Sequence, residues 1–203
     1  QRPDLLGFNP ATDKSEINKY DVAAFLADRT KSKKTQEDFE AAAARFVGQI
    51  ITDMRSTGSD TKAIYDHIVK LYQTQPTLDV QSTLSKFNNA YSTPLPIGFL
   101  AGMLARVLPT TKVLDSTGGN GLLTVAANPQ NVIAIEIDTT RANNLTLMQI
   151  GRVITGDVLT EIAGIRDQEV DALLINPPFS TLPTPANVMS WDGRSYKISK
   201  LEQ

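Results

Sequence analysis

The chain contains no cysteine. That removes disulfide frameworks, thiolate nucleophiles and Cys-ligated zinc together. Histidine is almost as scarce. His67 stands alone, which all but excludes Ser-His-Asp hydrolysis and multi-histidine metal sites, and no metal is expected. No apolar run approaches the ~18 residues of a membrane helix, so the chain is expected to be soluble and to have no membrane partner. Neither sign of charge dominates: 20 Lys and Arg face 22 Asp and Glu, a net charge of −2. A chain that grips nucleic acid by its phosphates normally shows a basic excess. Internal repeats and low-complexity tracts are missing, as is any charged-then-apolar leader. The chain also lacks an initiator Met and begins Gln1-Arg2-Pro3, so it reads as an excised piece of something longer.

What is present is ordinary globular material: 203 residues, 41% apolar, 6% aromatic and 21% charged. That length suits one domain, or a small domain beside a partial one. Residues 1–90 read as a helical region and residues 91–203 as alternating strand and helix. A short helix is expected around Val22, Phe25 and Leu26. The clearest helix starts at Thr35, an N-cap with Asp38 in the capping-box position. Phe39, Ala43, Phe46, Ile50 and Met54 form its apolar stripe. Ser56-Thr57-Gly58-Ser59 ends it, and Asp60 caps a second helix with the face Ile64, Ile68 and Leu71. His67 falls beside that face as a boundary or surface residue, and Lys31 to Lys34 read as a solvated loop. After Pro76, another short helix is expected near Leu84 and Phe87. Pro96 suits the first turn of a helix carrying Phe99, Met103, Leu104 and Val107, stopped by Pro109.

Four short apolar runs follow: Val113-Leu114, Val132 to Ile137, Arg152 to Thr155 and Ala172 to Ile175. Helical or turn segments separate them, which predicts an α/β fold with a parallel sheet and right-handed crossovers. The first strand runs into Asp115-Ser116-Thr117-Gly118-Gly119-Asn120-Gly121, with a helix expected from Leu122 to Ala127. Glycines there allow a tight turn and close approach of a ligand, and a helix N-terminus would add free amides. The same turn closes βα units in any doubly wound fold. The second strand ends in Glu136-Ile137-Asp138, and an acid about 20 residues past such a turn accepts hydrogen bonds from ribose hydroxyls. The third ends in Thr155-Gly156-Asp157. Three acids at successive strand ends disfavour phosphates, and neither a Walker lysine nor a GxGxxG is present. A nucleoside carrying a cationic centre fits better, and S-adenosylmethionine is such a ligand.

The fourth strand ends in Asn176-Pro177-Pro178-Phe179. Two prolines hold the backbone extended and leave carbonyls without competing N–H groups. The Asn176 amide oxygen and the Pro177 carbonyl can together accept both hydrogens of an exocyclic amino group. Phe179 offers a ring face for stacking on a base. Alone, the segment also reads as a proline turn with Phe179 in the core.

From Tyr91 to Phe179 the sequence resembles class I S-adenosylmethionine-dependent methyltransferases acting on amino groups, above all the adenine-N6 DNA methylases. Asp115 to Gly121 is similar to their Asp-Pro-x-x-Gly-Ser/Thr-Gly motif. The resemblance implies a Rossmann-like core, incomplete at its C-terminus, that binds S-adenosylmethionine. It assigns cofactor binding to Thr93, Asp115, Gly119, Gly121, Glu136, Ile137 and Asp157. Within that set Glu136 would hold the ribose, Ile137 pack on the adenine ring, Asp157 bind the adenine amino group and Thr93, in Ser92-Thr93-Pro94, reach the methionine moiety. Asn176, Pro177 and Phe179 would be catalytic, acting on a DNA base flipped out of its stack. Two positions depart from the motif, Ser116 for proline and Asn120 for Ser or Thr. More loosely, the helical leader with Ser92-Thr93-Pro94 is similar to the methylase part of phage and plasmid antirestriction methyltransferase–helicase proteins of the DarB type. That implies further domains of a larger parent chain and a cytoplasmic, bacterial or phage-encoded setting, with association to the virion as a variant. Alternative acceptors are a protein glutamine or an RNA base, and a different reading is a non-catalytic cofactor-binding module. With four strands where the resembled family has seven, the fourth is expected to have one side unpaired and the chain to be inactive alone. Trp191, Tyr196 and Ile198 would partly cover that side or belong to a loop.

Overall fold

The computed structural model describes residues 33–75, 92–166, 169–177, 179–180, 187–191, 194–198 and 201–202. The helices expected around Val22 and Leu84, the Lys31-Ser32 end of the basic cluster, and Tyr91 and Pro178 lie outside the described residues. Described residues up to Ile175 belong to one compact unit and those from Asn176 onward to another.

The first unit is α/β. Helix α1 (Lys33–Ser56) and helix α2 (Thr61–Thr74) precede helix α3 (Leu95–Leu104). Strands β1 (Val113–Asp115), β2 (Val132–Glu136), β3 (Arg152–Thr155) and β4 (Ala172–Leu174) then form one parallel sheet in the order β3-β2-β1-β4. Helix α4 (Thr139–Leu147) joins β2 to β3, and the single turn α5 (Val158–Glu161) follows β3. The parallel arrangement predicted from the alternating runs is therefore present. Central β1 is buried throughout, whereas β3 and β4, at the two edges, are partly exposed. Among the described residues β4 pairs on one side only, with β1.

Alanine-rich sequence and the i,i+4 pairs Lys34–Asp38, Gln36–Glu40 and Gln49–Asp53 support α1. Thr35 is buried inside this helix rather than capping it. The buried stripe is Ala41, Ala44, Val47 and Ile51, one position away from the predicted one; Phe39, Phe46 and Ile50 lie at its margins. Glu37, one turn before Ala41, is buried and sets this rotation, because its carboxylate must reach its partners. In α2 the predictions hold: Asp60 caps it by accepting from Ala63 N at 2.7 Å, Ile64 and Ile68 are buried, and His67 is exposed.

Pro96 does sit in the first turn of α3, but the buried face is Leu95, Pro96, Gly98, Phe99 and Gly102. Leu104 points outward at 86% exposure, and Val107 is buried beyond the helix end. This rotation comes from two glycines. A Cβ on Gly98 would lie 2.1 Å from Leu122 O, and one on Gly102 would lie 2.5 Å from Ala126 Cβ. Backbone-to-backbone contact of α3 with residues 122–126 is possible only on that face.

Those residues form no helix, against expectation; successive turns lead from Gly121 to the 3-10 turn Pro129–Asn131. Leu122, Leu123, Thr124, Val125 and Ala126 are all buried. Leu122, Val125 and Ala126 join the core of α1, α2 and α3, while Leu123 joins the core of the sheet with Leu145 of α4. A helix presents one apolar stripe, so five consecutive buried residues serving two cores call for an irregular segment. Arg55 of α1 donates to Ala126 O at 2.8 Å, adding a partner there.

The second unit contains two antiparallel pairs: β5 (Phe179–Ser180) with β8 (Leu201–Glu202), and β6 (Asn187–Trp191) with β7 (Arg194–Ile198). Trp191, Tyr196 and Ile198 thus belong to a hairpin rather than a loop.

Candidate functional site

The site is built at the carboxyl ends of β1, β2 and β3. Register decides how the three acids relate. Asp115 pairs with Ala134, and Glu136 pairs with Thr155. Each acid therefore stands two residues further along than the one before it. Because side chains alternate faces with period two, Asp115 and Glu136 share one side of the sheet.

Asp115 is 1% exposed. Its Oδ1 accepts from Thr117 N at 3.1 Å, starting the turn. Burial, reinforced by the Glu136 charge and opposed by the Thr117 N–H, pushes its carboxyl up to about 7. Gly118 donates to Ile135 O at 2.8 Å, which lays the turn over the end of β2. A Cβ at Gly118 would press on Leu145 and Ala134 at 3.0 and 3.1 Å. Gly119 and Gly121 have φ of +53° and +76°, the left-handed region that glycine adopts without penalty. A Cβ on Gly119 would meet only Thr117 O, at 3.9 Å, so space is open above it.

Glu136 closes the turn. Its Oε2 accepts from Gly119 N and its Oε1 from Asp138 N, both at 2.7 Å. Burial raises its pKa, while those two N–H groups and the Arg141 charge oppose the rise. Each oxygen already takes one hydrogen bond and keeps capacity for another. Next to it, just past the end of β2, Ile137 is 62% exposed. Asp157 is exposed and caps α5 by accepting from Leu159 N at 2.9 Å.

Four residues at the turn were not marked by the sequence: Glu37 and Glu40 of α1, and Arg141 and Asn144 of α4. Asn120 Nδ2 donates to Glu37 Oε2 and, at 2.9 Å, to Glu40 Oε2. Asn144 donates to Asn120 Oδ1 at 3.3 Å. Arg141 grips Glu37 with two bonds, 2.8 Å from Nε and 3.0 Å from Nη2. Burial works against the Arg141 charge, yet the bonds to Glu37 and the charges of Glu37, Glu136 and Glu40 hold its pKa above the ordinary value. Ser92 donates to Glu40 Oε2 at 2.6 Å, which brings the segment holding half-buried Thr93 to the same network. The only available signal was Asn120 itself, a polar residue amid glycines where the resembled motif has Ser or Thr.

Asp115, Gly119 and Glu136 are thus tied together through the glycine turn that also holds Gly121, while Ile137 and Asp157 stand just past the ends of β2 and β3, and Thr93 follows Ser92. Asn176, Pro177 and Phe179 belong to the second unit. Asn176 and Pro177 are half-buried, and Phe179 pairs with Glu202. Among the described residues no group of His, Cys, Asp and Glu is arranged to hold a metal ion, and no helix is long and apolar enough to cross a membrane. No protein-family model, no curated protein and no solved structure matches this chain.

Proposed function

We propose that this chain carries a Rossmann-like methyltransferase core that binds S-adenosylmethionine and directs its methyl group to the exocyclic amino group of adenine in DNA. The observation that carries the reading is Glu136 at the end of β2, bonded to Gly119 of a turn with open space above it. A carboxylate so placed accepts from ribose hydroxyls, and exposed Ile137 beside it offers an apolar surface for an adenine ring. Asp157 would accept from the adenine amino group, and Thr93 would reach the methionine end. Asp115 supports the turn from beneath through Thr117 N.

When bound, the cofactor supplies an electrophilic methyl group. The chain's own contribution is orientation. Asn176 Oδ1 and the Pro177 carbonyl would each accept one hydrogen of the target amino group, aiming its lone pair. Phe179 would stack on the flipped base. No general base is required of the chain, because the amine proton can leave to water after transfer.

A second reading, a non-catalytic module that binds the cofactor, is favoured by one observation: residues 122–127 after the glycine turn form no helix, so the N-terminus of a following helix does not add its amides to the site. The two readings share a binding site and differ in chemistry. Calorimetry with S-adenosylhomocysteine tests the site. Glu136→Gln should weaken binding by about 1.5–3 kcal/mol, the scale of hydrogen bonds to a charged group; equal affinities would remove the ribose assignment. Methyl-transfer assays with plasmid DNA, RNA and protein acceptors then distinguish an enzyme from a binding module, and DNA from the other acceptors.

A further inference from the structure

We infer that Asn120, held by the Glu37–Arg141 pair and Glu40, is a positioning residue that clamps the glycine turn in its ligand-ready form from helix α1. This rests on the turn being the S-adenosylmethionine site. Gly118, Gly119 and Gly121 give the turn more backbone freedom than any other stretch of this length in the chain, and that freedom must be restrained before a ligand can be held. In an ordinary βα unit the helix that follows restrains it. Here residues 122–127 form turns instead. The side chain at the centre of the turn takes over: Asn120 is buried and bonds to Glu37 and Glu40 of α1 and to Asn144 of α4.

The chemistry of the surroundings dictates asparagine. Two carboxylates converge on position 120, and one of them, Glu37, is fixed by the two-pronged Arg141 bond. A neutral amide supplies two N–H donors to two acceptors, while its oxygen takes the Asn144 donor. Aspartate would add a third negative charge, and serine has one donor and a shorter reach. Glu40 extends the clamp to Ser92, ahead of α3. Two segments distant in sequence, α1 and α4, therefore converge on Asn120, and a third, at Ser92, is joined to them through Glu40.

Asn120→Ser in the whole chain tests this with two readouts. The first needs no ligand. Amide hydrogen exchange at Gly118 to Gly121 should speed up about tenfold or more, with β2 and β3 amides unchanged, because the loss is local rather than global. The second is S-adenosylhomocysteine affinity, which should fall about tenfold, the loss expected for a hydrogen bond to a charged group. Unchanged exchange in the turn overturns the clamp. So does a loosened turn in a variant that binds S-adenosylhomocysteine as well as the parent. Should the parent bind no S-adenosylhomocysteine, the proposed function fails, and exchange alone decides whether the clamp stands. Glu40→Ala, which removes the acceptor at the less buried end of the network, gives the same two readouts should Asn120→Ser fail to fold.

Discussion

Asp115 is the residue at which burial and charge conflict most openly. Its carboxyl, ordinarily at 3.8, is pushed up to about 7 by burial first and the Glu136 charge besides. The fold therefore binds a proton there more tightly than the unfolded chain does. Stability from this group is complete below the ordinary carboxylate range and is lost as pH rises towards 7, levelling off above. Glu136, raised for the same first reason, acts with the same sign. Thermal unfolding followed by circular dichroism should show stability about 1–2 kcal/mol higher near pH 5.5 than near pH 8 from Asp115. Asp115→Asn keeps the acceptor for Thr117 N and should flatten that slope; an unaltered slope would put its origin elsewhere. Arg106 and Gln149 pose a different residue-level conflict. Helices α1, α3 and α4 all end in the same pair of hydrogen bonds, as in Ser59 N to Met54 O, Val107 N to Gly102 O and Ile150 N to Leu145 O. The left-handed residue is Gly58 in α1, but Arg106 in α3 and Gln149 in α4, with φ of +56° and +63°. Arg106→Gly and Gln149→Gly should each stabilise by about 0.5–1 kcal/mol in urea denaturation, and Gly58→Ala should cost about the same. A Cβ at Gly58 meets nothing within 4 Å, so backbone conformation alone is at issue there.

Helix α3 shows how an element is placed by what it lacks. Its apolar residues are spread around the helix, so sequence pattern alone offers no single face. Absent side chains at Gly98 and Gly102 let it approach residues 122–126 closely, and that choice leaves Leu104 in solvent. Gly98→Ala should destabilise by roughly 2 kcal/mol or more, since its Cβ would strike a backbone oxygen that cannot rotate away. Leu104→Ala should stay within about 0.5 kcal/mol. Chemical denaturation of the two variants separates them; a large loss at Leu104 with none at Gly98 would reverse the assigned face.

At the scale of the molecule, the acidic balance bears on the proposed DNA substrate. With a net charge of −2, little long-range attraction steers a polyanion to this chain, and DNA affinity should be weak. In the proposed chemistry Asn176 touches only the acceptor. In any protein containing this chain that shows methyl transfer, Asn176→Ala should therefore abolish it while leaving S-adenosylhomocysteine affinity within about twofold, a difference below 0.5 kcal/mol. Transfer at the parent rate would make Asn176 a turn residue.

Local pattern was enough for the four strands, their parallel arrangement, the Asp60 cap and the acids at the strand ends, because alternation, capping and turn chemistry act over a few residues. The rotation of α1 and α3, the absence of a helix after Gly121 and the role of Asn120 were decided by tertiary structure. Each depends on partners far away in the chain: Glu37 meets Arg141 and Asn120 across 104 and 83 positions, and Arg55 reaches Ala126 across 71. A buried carboxylate must be paired wherever its partner lies, and a helix turns the face that permits closest approach. Neither requirement leaves a periodic trace in sequence. In sequence, Ser116 and Asn120 are simply two departures from the resembled motif. Only the arrival of α1 over the turn shows that Asn120 answers to two carboxylates from the N-terminal helix.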